Sequence, residues 1–410
     1  MQAVLHQTLT SLPQVEVRPR TVRWAVRTLF FLNGALFATW ASRIPAVQAE
    51  RGLSNGALGM ALLSIALGAV IAMPLAGLLA TRIGSDRISK ATALIYCAML
   101  PGIVLAPNSV MFVLALFCFG ASHGALDVAM NAQAVAVEKR YGEPIMSSFH
   151  ALWSTGGLAG AAASGLLASH GIKPLAHFVV VALLCGVAVA LVFPNLLNAP
   201  EGQVSDSGGQ SRNPLFPLPP RGLLALGMLA LCVMAGEGAM ADWSAVYLRN
   251  TVGTGESLAA VGYATFSIAM ALGRFFGDYL TARFEPVNLV RAGGTLAASG
   301  LLLALVFGHA ATTLMGFALV GAGFATLVPI VFSAAGNTRG IAPGVALASV
   351  STLGYLGFLI GPPFIGFAAE LFSLRFALGI IAVTSLIAAV LAPTLGDRAD
   401  NPRILKRTNN

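Results

Sequence analysis

Long apolar stretches, separated by short polar loops, cover almost the whole chain. A transmembrane helix needs about 20 mainly apolar residues, and only helices and closed barrels satisfy their backbone hydrogen bonds in lipid. The stretches are continuous and rich in Leu, Ala and Gly, whereas barrel strands alternate apolar and polar positions. The pattern therefore predicts an all-α membrane protein with twelve transmembrane helices. We place the spans at residues 24–48, 55–80, 88–107, 109–137, 146–169, 174–196, 222–249, 256–282, 288–307, 310–336, 343–368 and 374–394.

The composition agrees with a protein whose main partner is the lipid bilayer. Of the 410 residues, 57% are hydrophobic and 10% are charged, and the mean hydropathy is +0.81. Soluble proteins carry about 25% charged residues. Twelve spans use nearly all of the length, so no room is left for a sizeable soluble domain. The four cysteines fall inside predicted spans, where we expect small apolar packing residues and no disulfide framework.

The basic residues indicate how the chain crosses the membrane. The net charge is +8, and 18 of the 24 Lys and Arg residues fall in the tails, in alternate loops or in the first four residues of the spans beside them. Because loops rich in Lys and Arg stay in the cytoplasm, both termini are predicted to be cytoplasmic, in a multi-pass protein of the inner membrane. In a soluble protein this charge would suggest a nucleic-acid partner. Its distribution here predicts topology instead.

The predicted spans form two sets of six that repeat each other weakly. A segment rich in Ser, Gly and Pro, Asn198–Arg221, separates them and is typical of a linker. At an offset of about 200 residues, Phe119-Gly120-Ala121 corresponds to Val320-Gly321-Ala322, and Leu63–Leu67 to Phe266–Met270. Two such repeats predict six-helix bundles that rock about a central binding site. The expected parts are a cytoplasmic tail (1–23), a first bundle (24–196), a cytoplasmic linker (197–221), a second bundle (222–394) and a second cytoplasmic tail (395–410).

The fourth span carries a stripe of polar residues that predicts a proton site. His123, Asp127 and Asn131 are four residues apart in turn and so share one helix face. An acid inside a membrane is costly by about 2.5–3.5 kcal/mol, so the stripe should face a cavity. We interpret Asp127 as a proton-coupling residue, and His123 and Asn131 as substrate contacts. The alternative is a structural hydrogen bond between Asp127 and His123.

The seventh span carries a second buried acid, Glu237, between Gly236 and Gly238. The two glycines suggest either a close helix approach or a local break that exposes backbone carbonyls. We interpret Glu237 as a proton or substrate site. Asp242 lies five residues further on, and we expect it to act in a charge network, either as a cap or paired with an outer-end arginine such as Arg43.

Further polar and aromatic residues in the spans predict contacts with a small hydroxylated solute. His150 and Trp153 lie in the inner third of the fifth span, where an imidazole and an indole suit a sugar ring. Asn33 and Trp40 are seven apart on the first span, and Tyr355 lies in the eleventh. Each of these residues has the alternative of a purely structural role.

The inner end of the eighth span carries a group of charges that we expect to be structural. Arg274 and Asp278 are four residues apart, and Arg283 follows. We interpret these residues as a network that holds the inward gate closed. Glu138-Lys139-Arg140, which follows the fourth span, is expected to be an ordinary solvated loop.

Several of these segments resemble one known family. They are Met73–Leu79, Gly273–Phe284, Pro329–Ser333 and Asp127–Asn131. In these segments the chain resembles the major facilitator superfamily, in the branch of the bacterial fucose–proton symporters and their uncharacterised inner-membrane relatives. The resemblance implies the major facilitator fold, sugar–proton symport and an acid at the position of Asp127. Two features depart from that pattern: Thr81-Arg82 lacks the superfamily's usual acid, and Trp40–Pro45 lacks the acid of the symporters' first span.

The sequence thus predicts a secondary active transporter rather than an enzyme. There is no Gly-x-x-x-x-Gly-Lys-Ser/Thr loop for nucleotide, no zinc-type spacing of ligands and no Ser/His/Asp set, so we expect no cofactor or metal. The expected partners are protons and a small polar, sugar-like solute, and the expected state is a monomer. The alternatives are a proton-antiport exporter of drugs or metabolites, and a receptor or scaffold that does not transport.

Overall fold

The chain is helical throughout the part that can be described. The computed structural model describes residues 19–53, 55–197, 221–254 and 256–395, and every regular element in these ranges is a helix. The α-helices are α1 (Pro19–Arg51), α2 (Asn55–Ile83), α3 (Ser85–Leu105), α4 (Ser109–Tyr141), α5 (Met146–Ser169), α6 (Pro174–Val192), α7 (Arg221–Val246), α8 (Glu256–Arg283), α9 (Pro286–Phe307), α10 (Ala310–Phe324), α11 (Leu327–Gly336), α12 (Pro343–Leu371) and α13 (Leu374–Leu391). Short 3₁₀ turns follow α6 and α13, and a π-helix, Tyr247–Val252, follows α7.

Local sequence signals set many of these helix ends. The side chain of Asn108 caps α4 by accepting from the Met111 N–H at 2.9 Å, and Ser373 caps α13 by accepting from the Phe376 N–H at 3.1 Å. α6, α9 and α12 each begin with a proline, which needs no intrahelical partner for its nitrogen. Gly142 ends α4 at a φ of 67°, in the left-handed region that glycine tolerates best.

The tenth span differs from its prediction as one continuous helix over 310–336. It consists of α10 and α11, separated by a turn at Ala325 and Thr326. Pro329 has no N–H to donate to the carbonyl of Ala325, so a continuous helix would lose a hydrogen bond here. The Ile330 N–H accordingly bonds the Thr326 carbonyl at 3.1 Å, and the helix restarts.

The helices pack as two bundles with the same internal arrangement, which confirms the predicted pair of pseudo-symmetric six-helix bundles. α1 to α6 form the first bundle and α7 to α13 the second. The main pairings of the first bundle are α1 with α5, α2 with α4, α3 with α4 and α3 with α6. Their counterparts in the second bundle are α7 with α12, α8 with α10, α9 with α10 and α9 with α13.

Close contacts at glycines repeat with the same register. A Cβ on Gly120 would lie 2.0 Å from the carbonyl oxygen of Ile65, and a Cβ on Gly321 would lie 2.2 Å from that of Phe266. These contacts make Ile65 the equivalent of Phe266. The sequence comparison had made Leu63 the equivalent of Phe266, so the two alignments differ by two positions. Equivalent contacts join α1 to α5 and α7 to α12, namely Gly156 with Phe31 and Gly357 with Leu231.

The two bundles meet mainly through α2 with α12 and α5 with α8. Their closest approach is at the end of the molecule where α1 begins and where the α2–α3 and α4–α5 loops lie, which we call the arginine-rich end. There a Cβ on Gly77 would lie 2.5 Å from the Gly344 carbonyl oxygen, and one on Gly277 would lie 2.5 Å from the Ser147 Cβ. Arg43 and Arg51, at the opposite end, bond backbone carbonyls of their own bundle. The bundles are therefore closed against each other at the arginine-rich end.

Three helices are less suited to lipid than the rest. Within the described ranges, nine helical segments are long and apolar enough to cross a membrane by composition alone. α1, α5 and α8 are not among them, although they have 33, 24 and 28 residues. α1 packs on α5 and α5 packs on α8 across the bundle boundary. Part of the surface of each of these helices therefore faces protein rather than lipid.

The predicted linker and tails lie almost wholly outside the described residues, which exclude 1–18, 198–220 and 396–410. The division of the chain into five parts and the cytoplasmic position of both termini therefore stay predictions.

Candidate functional site

A buried arginine joins the two bundles midway along their length. Arg274, on α8, is 3% exposed. Its Nη1 donates to the Ser154 Oγ of α5 at 2.7 Å, and its Nη2 lies 3.5 Å from the Glu237 Oε1 of α7. The guanidinium therefore contacts a hydroxyl of the first bundle and a carboxylate of its own bundle.

The aromatic face of Trp153 extends this group toward α1. The guanidinium carbon of Arg274 lies 6.0 Å from the centroid of the Trp153 ring, within the range of a cation–π contact. The indole Nε1 of Trp153 donates to the Oδ1 of Asn33 at 2.9 Å, and Asn33 is fully buried. We call Asn33, Trp153, Ser154, Glu237 and Arg274 the arginine site.

Several polar atoms at and beside the arginine site lack a hydrogen-bond partner among the described residues. They are Asn33 Nδ2, Arg274 Nε, Glu237 Oε1 and His150 Nε2. His150 lies between the rings of Phe30 and Phe332, with centroids 5.2 and 5.8 Å away. Buried polar atoms nearly always have partners, so a group of them on facing helices indicates a place built to receive a polar ligand.

A second polar group, which we call the aspartate site, lies where α4 faces α12. It consists of His123, Asp127, Asn131 and Tyr355. Asp127 is 8% exposed, and the Nδ2 of Asn131 donates to its Oδ1 at 3.2 Å and to its carbonyl oxygen at 2.8 Å. The Oδ2 of Asp127 has no partner among the described residues.

His123 connects the aspartate site to the second bundle. Its Nε2 lies 3.2 Å from the hydroxyl of Tyr355, and its ring stacks on Phe37 with centroids 5.2 Å apart. The predicted alternative of a hydrogen bond between Asp127 and His123 is therefore wrong, because His123 bonds Tyr355 instead.

The two buried acids have different electrostatic surroundings. Glu237 faces Arg274, whereas Asp127 forms no ion pair with any of the described cations. An isolated charge is costly in an apolar interior, so gain or loss of a proton at Asp127 changes the energy of its site strongly.

Comparison with known proteins identifies the family. A sequence profile of the Major Facilitator Superfamily matches residues 26–344. An uncharacterised MFS-type transporter of Yersinia pestis is 37% identical over 384 residues, which are 93% of this chain and 98% of that protein. The chain belongs to the Major Facilitator Superfamily.

Solved structures agree with this identification. Two crystal structures of FucP, the fucose:proton symporter of E. coli, have TM-scores of 0.76 and 0.75, and the first is in the outward conformation. Each covers 90% of this chain and 97% of the FucP chain, at 17% and 18% sequence identity. The resemblance to this branch of the superfamily is confirmed as a likeness of fold. At such low identity it carries no information about the substrate.

Two predicted site residues of this superfamily member lie elsewhere. Trp40 is 1% exposed and packs between Phe119 and Phe178 in the core of the first bundle, so it does not face the boundary between the bundles. Asp242 is exposed on α7, and Arg43 bonds the carbonyl of Ile172 rather than Asp242. Spacing along α1 placed Trp40 on the same face as Asn33 but could not show which neighbour covers Trp40.

The predicted charge network is divided between two places. Arg274 pairs with Glu237 rather than with Asp278. Asp278 lies at the arginine-rich end, where it accepts from the Ser148 N–H at 2.9 Å and lies 3.8 Å from Arg23. Arg283 is exposed and donates to the Tyr279 hydroxyl of the same helix at 3.3 Å. The pairing of Arg274 with Asp278 is therefore wrong, whereas Asp278 does join the two bundles.

Sequence reasoning missed Glu138, which was expected in a solvated loop. Its side chain is 8% exposed, and its Oε2 accepts from the backbone N–H groups of Ile145 and Met146, both at 2.9 Å. Its Oε1 accepts from the Ser333 hydroxyl of the second bundle. The donors are seven and eight residues ahead in the sequence and on another helix, so no local pattern indicates them.

The glycines beside Glu237 can now be interpreted. α7 is continuous from Arg221 to Val246, so they do not mark a break. A Cβ on Gly236 would lie 2.5 Å from the ring of Phe324, and one on Gly238 would lie 3.0 Å from the ring of Phe358. The alternative of a local break is therefore wrong, and the two glycines instead leave room for the rings of Phe324 and Phe358 beside Glu237.

Proposed function

We propose that this transporter is a proton-coupled symporter that moves a small, hydroxylated, sugar-like solute by alternating access. The proposal depends mainly on one observation: polar side chains of both bundles converge midway along the molecule while the arginine-rich end is closed. A solute bound there would contact both bundles, so its binding would respond to their relative position. The resemblance to the fucose:proton symporter supports symport, in which solute and proton move in the same direction.

Asp127 is the proposed proton carrier. It is buried without a cation partner, so its ionised form is tolerated only when water or a ligand reaches it. Protonation would remove this cost and favour the state in which the carboxyl is shielded. Glu237 is the second proposed coupling residue, because protonation would release Arg274 from its ion pair.

The proposed solute contacts come from the two sites. Asn33, Trp153 and His150 offer amide, aromatic and imidazole groups at the arginine site. His123, Asn131 and Tyr355 offer hydrogen-bonding groups at the aspartate site. Trp40, which lies in the core of the first bundle, is no longer included.

Transport by proteoliposomes tests the proposal. A thermal-shift screen of sugars, sugar acids and common metabolites first selects the strongest ligand. Wild-type protein should then accumulate that ligand when an inward proton gradient is imposed. Asp127→Asn should abolish accumulation while leaving exchange of labelled for unlabelled solute largely intact, because binding and rocking do not need the proton.

Asp242→Asn is the matched control, since it removes an exposed acid from a span and should leave accumulation unchanged. Unchanged accumulation by Asp127→Asn would remove Asp127 from the coupling mechanism. Extrusion of the ligand along with proton entry would indicate the antiport alternative, and binding without any exchange would indicate a receptor.

A further inference from the structure

We propose that the solute is an anion: a hydroxylated carboxylic acid of about sugar size, whose carboxylate binds Arg274. This inference rests on the proposed function and names the substrate class of the same site. It concerns the charge of the solute, which the transporter fold leaves open.

The hydrogen-bonding capacity of Arg274 is only partly used. A guanidinium has five N–H donors and typically holds a carboxylate through two parallel hydrogen bonds of about 2.7–2.9 Å. Here the Nη2 to Glu237 Oε1 distance is 3.5 Å, the Nε has no partner, and the Ser154 hydroxyl is the acceptor within hydrogen-bonding distance. At 3% exposure this cation lacks the full set of acceptors that burial demands.

The groups around Arg274 favour a ligand that carries both a carboxylate and hydroxyl groups. Besides Arg274 Nε, the atoms without partners are Asn33 Nδ2, a donor, His150 Nε2, which donates in one tautomer, and Glu237 Oε1, an acceptor that a solute hydroxyl would satisfy. The face of Trp153 lies beside the guanidinium and suits the apolar side of a sugar ring. A carboxylate would supply the missing charged acceptor, and hydroxyls would satisfy the amide and imidazole.

Charge decides between solute classes. A cationic solute would have to compete with Arg274 for the carboxylate of Glu237 and would leave the unused donors of Arg274 without acceptors. A neutral solute would offer Arg274 only the weaker hydrogen bonds of hydroxyl oxygens. Bonds to a charged acceptor are roughly twice as strong as neutral ones. Among the described residues, Arg274 is the cation that pairs with Glu237, at 3.5 Å.

Glu237 is then an internal competitor for the same guanidinium. A solute carboxylate and the Glu237 carboxylate cannot both lie close to Arg274 at full charge without repelling each other. Removing the charge of Glu237 should therefore strengthen the binding of an acid.

The experiment compares acids with their neutral parents. Binding of D-glucuronate, D-galacturonate and D-gluconate to the purified full-length protein is measured against D-glucose, D-galactose and D-sorbitol, with D-glucosamine as the cationic member. At least one acid should bind about tenfold more tightly than its neutral parent, since a charged hydrogen bond adds about 1.4 kcal/mol over a neutral one. No binding by any acid, or equal binding by each pair, would overturn the inference.

Variants assign the effect to Arg274. Arg274→Gln should remove the preference for the acid, and Glu237→Gln should increase affinity for the acid severalfold more than it changes affinity for the neutral parent. If Arg274→Gln does not fold, the double variant Glu237→Gln/Arg274→Gln replaces the ion pair with two amides and should also bind acid and parent equally. Retention of the acid preference in Arg274→Gln or in the double variant would contradict the assignment to Arg274.

Failure of the inference and failure of symport give different results. Proton-driven accumulation of a neutral sugar, without preference for its acid, would leave the proposed function intact and reject the anionic solute. Preferential binding of an acid through Arg274, without proton-driven accumulation, would support the anionic solute and reject symport.

Discussion

Single buried side chains join elements that are distant in sequence. The carboxylate of Glu138 accepts from two backbone N–H groups at the start of α5 and from Ser333 of the opposite bundle. It thus acts as an N-cap supplied by another helix, and a negative charge is favourable at that end of the helix dipole.

Glu138→Ala should destabilise the protein strongly, because it leaves the N–H groups of Ile145 and Met146 without their acceptor. A buried donor without a partner costs about 1–3 kcal/mol. The unfolding temperature of the purified protein in detergent should fall clearly. Arg140→Ala, two residues away and exposed, is the control and should change it little. An equal effect of both variants would contradict the capping role.

Residue-scale prediction succeeded where one helix determines the arrangement. The stripe of His123, Asp127 and Asn131 does place a buried acid and its hydrogen-bond donor on one face of α4. It failed where partners come from other helices, as for Arg274 with Glu237 and for Glu138. A sequence gives the residues on a face, whereas the facing helix decides which of them meet.

At the scale of helices, small residues set the distances between elements. The contacts of Gly120 and Gly156 with backbone carbonyls show that α2 with α4, and α1 with α5, approach until no side chain fits. In lipid, where the hydrophobic effect does not drive helix association, such close packing holds helices together.

Gly156→Ala should therefore weaken the packing of α1 on α5. The added methyl would lie 2.0 Å from the carbonyl oxygen of Phe31, so the helices would have to separate. Overpacking costs typically about 1–3 kcal/mol, and a lower unfolding temperature is expected.

Gly165→Ala on the same helix is the matched control, because nothing lies within 4 Å of its new methyl. Alanine favours helices by about 1 kcal/mol over glycine, so this variant should be neutral or stabilising. A lower unfolding temperature for Gly165→Ala equal to that of Gly156→Ala would show that helix glycines matter here for a reason other than packing.

Helix existence was predictable and helix continuity was not. The long apolar stretches indicated every span, although α1, α5 and α8 carry enough polar residues to fall short of a membrane helix by composition alone. The interruption between α10 and α11 depends on where the hydrogen bonds of Pro329 and Ile330 go, which hydropathy does not record.

At the scale of the whole molecule, the two bundles share their helix packing but not their ionisable residues. The offset between Gly120 and Gly321 is 201 residues, and it pairs Asp127 with Val328 and Arg274 with Met73. The ionisable groups thus occur on one member of each pair. The pseudo-symmetric frame sets the geometry, and the differences between its halves supply the candidate sites.

The orientation of this frame in the membrane is testable by reporter fusions. An alkaline phosphatase fused after Asn410 should be inactive because that terminus is predicted to be cytoplasmic, and a green fluorescent protein there should fluoresce. The matched fusion inserts phosphatase after Gly171, an exposed glycine between α5 and α6 at the opposite end, and should be active. Phosphatase activity at Asn410 would reverse the topology.

The hydrogen bond from Arg274 to Ser154 crosses the boundary between the bundles at the depth of the arginine site. If the bundles separate at the arginine-rich end, this bond is among those that must lengthen. Because the same guanidinium bonds the Ser154 hydroxyl and would bind a solute carboxylate, a bound solute would weaken the hydrogen bond between the bundles. Solute binding and release of this inter-bundle contact would then be one event, in which Arg274 exchanges one acceptor for another.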